Sequence, residues 1–254
     1  MQVALIVPCY NEEKRLDQAA FLSALSAQEN LRIRFVNDGS RDGTLDVLRE
    51  LQNVAPPFRV EVLDLPQNVG KAEAVRQGLL HEFDSVSPKA EFLGYWDADL
   101  ATPLEELPTF VSILDERPHT DLVIGSRIRL LGRHIERKFY RHAYGRVFAT
   151  VVSEMLQLPV CDTQCGAKLL RSNAAMRAAL SEPFMSRWVF DVEMLARLII
   201  AWNDEGLDAK EKIVEQPLMR WTDIPGSKIG ISDAVRAIYE VGRIEKRYGR
   251  RLRR

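Results

Sequence analysis

The sequence predicts an α/β fold: a mostly parallel, doubly wound sheet with helices on both faces. Three observations predict it. Strand-length apolar runs recur through the first half, helix-compatible stretches separate them, and the connections are short. The sequence has no internal repeat, low-complexity segment or Gly/Ser linker, so a single domain over 1–254 is expected.

The run VALIVP (3–8) is continuously apolar, as in a strand buried on both faces. Asn11 is placed to cap a helix reaching about residue 27. IRFVND (33–38) is the next strand, and Gly39-Ser40 turns it into a helix over about 42–52. FRVEVLDL (58–65) alternates with a period of two. A helix over about 70–83 leads to the fourth strand, EFLGYWDAD (91–99). Thr102, Pro103 and Glu105 then spell a helix start: a cap, a proline at the first helical position and the return partner of a capping box. DLVIGSR (121–127) is the fifth strand. The second half is less regular. A long helix is expected over 134–157, a short strand at AKLLR (167–171), helices over 190–203 and 231–247, and an extended run over 212–221. This half is expected to decorate the sheet edge.

Hydrophobic residues at 46% and charged residues at 28% exclude a disordered chain. A length of 254 residues buries a sizeable core without disulfide or metal staples. The net charge of −1 argues against a nucleic-acid partner. Cys9, Cys161 and Cys165 are an odd set that builds no disulfide framework, and no Cys/His cluster completes a zinc site. They read as thiols of a reducing compartment. The opening apolar run is too short for a signal peptide and lacks a basic leader. No stretch approaches the ~18 apolar residues of a membrane span. The expectation is a cytoplasmic protein, soluble or peripheral on the cytoplasmic membrane face.

Ligands of such sheets lie outside the carboxyl ends of the strands. Asn11, Asp38, Asp97 and Asp99 all fall at predicted strand ends. Asp97-Ala98-Asp99 is the sharpest feature. Alternate residues of an extended segment point the same way. Two such carboxylates can hold one Mg²⁺ or Mn²⁺ that also binds substrate phosphates. The bland alternative is a solvated loop with a capping Asp. Lys71, near a predicted helix N-terminus, suits a diphosphate or is an exposed surface lysine. No strand is followed by G-x-G-x-x-G, and Gly70-Lys71 lacks the rest of a P-loop.

Basic residues crowd two segments. Arg127, Arg129, Arg133, Arg137, Lys138, Arg141 and Arg146 stand against Glu136. Arg forks suit phosphate oxygens; Arg127, directly after the fifth strand, is the first candidate and Lys228 the second. Arg243, Lys246, Arg247, Arg250, Arg251, Arg253 and Arg254 stand against Glu245. That tail is either a docking surface for anionic lipid or a frayed, solvated end.

The segments VPCYNEEKRL (7–16), VNDGSRDGT (36–44), NVGKAEAVRQGL (68–79) and WDADLATP (96–103) resemble the family-two inverting glycosyltransferases of the GT-A fold. GSR (125–127), DTQCGAKLLR (162–171), RWVFDVEML (187–195) and IPGSKIG (224–230) resemble one subgroup, the dolichyl-phosphate β-glucosyltransferases and related polyprenyl-phosphate sugar transferases. The resemblance covers nearly the whole chain in order. It implies a GT-A domain with a nucleotide-sugar-binding half, 1–127, and an acceptor-binding half, 128–254.

The resemblance also implies roles. Pro8, Tyr10, Asn11 and Glu12 border the nucleoside, Tyr10 beside the base and Glu12 accepting from ribose hydroxyls. Asp38 accepts from a ring N–H of uracil or guanine; alternatively, Asn11 and Asp38 serve turns and caps. Lys71 faces the diphosphate. Asp97 faces the nucleoside side, Ala98 lies between the carboxylates, and Asp99 is the firmer ligand of Mg²⁺ or Mn²⁺. Asp162 and Gln164 shape the sugar or acceptor pocket, unless Asp162 starts a turn. Trp188 and Trp221 either stack on a sugar or belong to core and rim.

The implied reaction moves a hexose, foremost glucose from UDP-glucose, to a polyprenyl or dolichyl phosphate with inversion. A phosphomonoester titrates near pH ~6 and is already anionic at neutral pH. The alternative acceptor, a saccharide hydroxyl, needs a carboxylate base. Asp191 and Glu193 are the candidates. Two positions apart on a helix, they do not share a face, and Asp191 is taken as the site residue beside Asp99, Arg127 and Lys228. A sugar nucleotidyltransferase is a further alternative, and uridine against guanosine stays open. Three features depart from the family pattern. Asn37 stands where Asp is usual. Glu73 follows Gly70-Lys71-Ala72, where its carboxylate repels a diphosphate unless it turns away. The membrane anchors of many relatives have no counterpart in the sequence.

Overall fold

Strand β1 (Val3–Cys9) sets the frame. Val3, Leu5, Val7 and Cys9 enter one apolar core, and Ala4 and Ile6 enter the other. A strand buried on both faces must be apolar throughout, which is why 3–8 reads as one run. The computed structural model describes residues 1–85, 89–136, 139–224 and 231–253, without the side chains of 139–144 and 231–235. After β1 come α1 (Gln18–Ala27), β2 (Leu31–Asn37), α2 (Thr44–Val54), β3 (Val60–Asp64), α3 (Lys71–Asp84), β4 (Phe92–Trp96), α4 (Leu107–Glu116) and β5 (Leu122–Ser126). The second half adds β6 (His134–Glu136), α5 (Phe139–Leu156), β7 (Ala167–Arg171), α6 (Ala174–Ala179), α7 (Phe190–Asp204), α8 (Ala209–Lys212), β8 (Ile213–Pro217), β9 (Arg220–Thr222) and α9 (Ile231–Leu252).

Among the described residues the main sheet has seven strands in the order β3-β2-β1-β4-β7-β5-β8, and β6 pairs with β9 in a small second sheet. β3, β2, β1 and β4 run parallel, as do β5 and β8, while β7 is antiparallel to both its neighbours. Helices α1, α2 and α4 cover one face, and α3, α5, α6, α7 and α9 cover the other. Each fully buried large side chain, such as Phe35, Phe110 or Leu195, contributes about 1.5–3 kcal/mol by leaving water. The chain passes from β1 to β2 on one side and from β3 to β4 on the other. The strand order therefore reverses between β1 and β4, and a crevice opens at their carboxyl ends.

Several expectations are corrected. β8 takes the expected place at the sheet edge, but β7 inserts inside the sheet; five residues are too few for the pattern to tell an edge from a centre. Asp17, not Asn11, caps α1, accepting from the Ala20 N–H at 3.0 Å. Asn11 instead sits at a left-handed φ of 56°. Thr102 and Glu105 form no capping box. A 3₁₀ turn spans Leu104–Glu106, α4 starts only at Leu107, and the Thr102 hydroxyl lies 3.8 Å from Cys165 Sγ. Glu106 reaches across the fold, accepting from the N–H groups of Met219 (2.7 Å) and Arg220 (2.9 Å), and this fixes β9. With β9 so placed, residues 134–136 pair with it rather than begin the expected helix.

The C-terminal tail is neither frayed nor wholly basic in effect. Ile244, Tyr248 and Leu252 are buried, and α9 packs against α7. Arg247 pairs with Glu182 (2.8 Å), Arg251 with Asp204 (2.6 Å) and Arg253 with Glu245 (2.5 Å). Among the described residues no helix is long and apolar enough to cross a membrane.

Candidate active site

The turn after β1 is tied to the loop after β2. The Asn11 N–H donates to Ser40 Oγ (3.1 Å), and the Arg41 N–H donates to Asn11 Oδ1 (2.9 Å). The Glu12 N–H donates to Thr44 Oγ1 (2.8 Å). Pro8 is half-buried in the strand and Tyr10 is exposed beyond it. Glu12 is buried; its Oε1 takes Arg15 at 2.6 Å, while Oε2 is buried with no hydrogen-bond partner. Burial raises its carboxyl above the usual range, the Arg15 guanidinium opposes this, and the charges of Asp99 and Asp42 add to it.

Asp38, at the end of β2, is buried and clasps the loop before α3. It accepts from the Val69 N–H (2.7 Å), the Gly70 N–H (2.9 Å) and Asn68 Nδ2 (2.9 Å). Both its oxygens are engaged in holding that turn, the alternative that stood beside the expected bond to a base ring. Burial raises its carboxyl; the two N–H bonds and the Arg187 charge oppose this. Asn37 donates to Asp64 Oδ1 at 2.7 Å, so its amide joins two strands.

The clasp delivers Gly70, at a φ of 92°, to the start of α3, where no side chain caps the helix. Lys71 Nζ lies 2.5 Å from Asp97 Oδ1. Burial works against the ammonium, but the charges of Asp97, Asp191 and Asp99 outweigh it and raise Lys71 above its usual value. Asp97 and Asp99 sit on a turn rather than an extended segment: the Leu100 N–H donates to the Asp97 carbonyl at 3.2 Å. The Asp97 N–H donates to the Gly166 carbonyl at 2.9 Å. Asp99 Oδ1 accepts from the Ala101 N–H at 3.1 Å. Burial and then the charge of Asp97 raise the Asp99 carboxyl. Ala98 between them is buried. Glu73 accepts two bonds from Arg76 (both 2.8 Å) and one from Gln77 (3.0 Å), which satisfies its carboxylate along the helix.

Lys71, Asp97, Asp99 and Asp191 line a cavity of about 900 Å³. Asp191 Oδ1 accepts from Lys168 Nζ (2.6 Å) and from the Tyr95 hydroxyl, and Lys168, fully buried, also donates to the Cys165 carbonyl at 2.7 Å. Glu193 is structural. It is wholly buried and accepts from the N–H groups of Met185 (2.8 Å) and Ser186 (3.2 Å) and from Arg197 (2.6 Å).

Arg127 and Asp162 line the same cavity as a bonded pair. Arg127 Nε and Nη2 each donate to Asp162 at 2.7 Å, and the Arg127 N–H donates at 3.0 Å. Burial works against the guanidinium, yet Asp162 more than offsets it. This fork is engaged with Asp162, and both residues line the cavity in which the resemblance implies contacts with phosphate and sugar. Trp221 is buried 5.4 Å from the same guanidinium, and Trp188 is the exposed one at the rim. Gln164 lines the cavity with Nε2 buried and unpartnered. Arg129 and Arg146 also line it. Lys228, Arg137 and Lys138 lie outside the described residues, as does the side chain of Arg141.

The profile of glycosyl transferase family 2 matches residues 4–177. The chain belongs to that family. It is 30% identical to a dolichyl-phosphate beta-glucosyltransferase of Dictyostelium discoideum over 97% of this chain and 74% of that one. It is 33% identical to the Mus musculus dolichyl-phosphate beta-glucosyltransferase over 90% of this chain and 69% of that one. Glucosyl-3-phosphoglycerate synthase of Mycobacterium tuberculosis, solved with Mn²⁺, UDP and phosphoglyceric acid, superposes with a TM-score of 0.64 at 17% identity, covering 96% of this chain and 78% of that one. At that identity the likeness is one of fold, and the fold is the GT-A fold expected from the sequence.

The glycosyltransferase has site residues that sequence reasoning passed over. A Cβ on Gly166 would stand 2.1 Å from Asp97 Oδ2, so only glycine lets β7 start beside the acidic turn. Lys168 and Tyr95 hold Asp191, and Arg187 lies over Gly70. Gly166, Lys168 and Arg187 all fall inside the quoted motifs, which was the available signal. The acidic pair fits a divalent cation by its donors: two hard carboxylate oxygens crowded enough to raise Asp99. Among the described residues no group of three His, Cys, Asp or Glu side chains could hold a metal.

Proposed function

We propose that this glycosyltransferase moves a hexose, glucose foremost, from a nucleoside-diphosphate sugar to a polyprenyl phosphate, inverting the anomeric centre. The observation that carries this is the mixed lining of the cavity, which combines Lys71, Asp97, Asp99 and Asp191 with the apolar Phe148, Ala149, Pro159, Val160 and Ala237. A sugar diphosphate needs the charged groups; an acceptor that is both lipid and phosphate uses the apolar ones, with Arg146 beside them in the lining. The relatives named for dolichyl phosphate support the same acceptor.

The chain's own groups supply the chemistry. Gln164 Nε2 and Asp191 face the hexose hydroxyls. Lys71 meets the diphosphate at the start of α3, where helix N–H groups favour anions. A phosphate acceptor arrives ionised, so no side chain has to remove its proton. Negative charge grows on the departing diphosphate, and fixed cations stabilise it more in the transition state than in the ground state. Asp99 and Asp97 would hold Mg²⁺ or Mn²⁺, which supplies Lewis-acid stabilisation of the leaving group. The apolar side chains exposed on the helices walling the cavity, Val147, Val151, Ile238 and Tyr239, fit work at the cytoplasmic membrane face.

The test is transfer of radiolabelled glucose from UDP-glucose into an organic-extractable, mild-acid-labile product. Labelling of an oligosaccharide, and of no lipid phosphate, overturns the acceptor. Thermal shifts with UDP and Mn²⁺ test the cation: Asp99→Ala removes the manganese-dependent part, and a full shift in that variant overturns the ligand assignment.

A further inference from the structure

Three of the cations at the cavity are held in ion pairs. Lys71 is held by Asp97, Arg127 by Asp162, and the buried Lys168 by Asp191. Arg187 also lines the cavity, and among the described residues it has no ion pair. It precedes α7, whereas its neighbour in space is the start of α3. A Cβ on Gly70 would lie 3.7 Å from Arg187 Cδ and 3.8 Å from its Nε. The guanidinium is near enough to Asp38 to oppose the rise of that carboxyl, yet Asp38 is engaged with the 68–70 loop. So the fork stands beside the uncapped first turn of α3 and beside Lys71, exposed, with donors still available.

We propose that Arg187 binds the diphosphate of the nucleoside-diphosphate donor, closing over Gly70 opposite Lys71. This rests on the donor reading above. A diphosphate ester is doubly anionic, and Lys71 shares its charge with Asp97. An arginine fork adds two parallel charge-assisted bonds in a geometry that lysine lacks. Arg146, which also lines the cavity and has no ion pair among the described residues, sits on α5 and is left for the acceptor phosphate.

The test is calorimetric titration of the full chain and of Arg187→Gln and Arg187→Lys with UDP, inorganic pyrophosphate and uridine, in Mn²⁺. Because Arg187 is exposed and unpaired, both variants should melt as the wild type does. Arg187→Gln should bind UDP and pyrophosphate about 10- to 100-fold more weakly. Arg187→Lys should recover part of that loss, and uridine binding should not change. Binding of UDP by Arg187→Gln within twofold of wild type overturns the proposal, as does an equal loss for uridine. Wild-type protein that binds pyrophosphate through Arg187, but UDP no better, keeps the anion site and overturns the nucleotide donor. Wild-type protein that binds neither overturns both.

Discussion

At the end of β2 a buried carboxylate is held by backbone amides; around β5 and β7 carboxylates are held by cations. Asp38 takes the N–H groups of Val69 and Gly70, whereas Asp162 takes Arg127 and Asp191 takes Lys168. The difference sets what each region has left to offer. An amide-held carboxylate fixes a loop and brings Lys71 and Gly70 to the crevice. A cation-held carboxylate offsets its partner's charge, so Arg127 presents less net charge than an unpaired arginine. Gln164, Arg146 and Arg187 line the cavity outside these pairs.

The contrast is tested most severely at Lys168. Lys168→Met leaves Asp191 buried beside Tyr95 without its counter-charge. Breaking a buried pair from one side costs about 3–5 kcal/mol. Urea unfolding should show that loss, and adding Asp191→Leu should restore much of it, because both charges are then gone. A loss below about 1 kcal/mol for Lys168→Met would mean that the region around β5 and β7 is not built on its ion pairs.

Asp38→Ala tests the other half of the comparison. It orphans the Val69 and Gly70 N–H groups, at a cost of about 1–3 kcal/mol. The damage should be local: amide exchange at Val69 and Gly70 quickens while β7 and α7 keep their protection. UDP binding should fall along with it, because the same loop carries Lys71. Unchanged exchange at Val69 would remove the clasp from the account.

These two regions also differ in how well they can be read without coordinates. The first half of the chain was legible because its elements are consecutive βαβ units and its polar residues stand at strand ends. β1 to β5 and α2 and α3 lie where the pattern put them, to within a few residues. The misses came where a distant residue decides. Glu106 reaches Met219, so β6 and β9 pair and a helix start is lost. Asp162 reaches back to Arg127, which converts the first phosphate candidate into half of a pair. Gly166 matters only because Asp97 lies across from it. No periodicity encodes such contacts, although the motifs did enclose most of the residues that make them.

A smaller effect is expected at the acidic turn, where neither amide nor cation fully answers Asp99. Its carboxyl is raised by burial and by Asp97. A folded-state value above the unfolded one means that Asp99 favours folding in its neutral form. That contribution is complete below about pH 4, the unfolded value, and is lost as pH rises through the folded value. Asp97→Asn removes the second cause, so the Asp99 titration followed by carbon NMR should move down. The stability gained on acidification through that range should shrink. An unmoved midpoint would show that burial alone raises it.

The smallest effect belongs to the C-terminal helix, which carries ion pairs of the third kind, open to water. Arg251 and Asp204 meet at 2.6 Å, but both side chains are more than half exposed. The attraction is screened, and holding two long side chains in one geometry costs entropy. Arg251→Ala should therefore lower stability by no more than about 1 kcal/mol, and the difference should vanish in molar salt. What keeps α9 in place is the apolar row of Val241, Ile244, Tyr248 and Leu252 against α7. A loss above about 2 kcal/mol, persisting at high salt, would instead make Arg251 a structural tie comparable with Lys168. The distinction between exposed and buried pairs in this fold would then have to be redrawn.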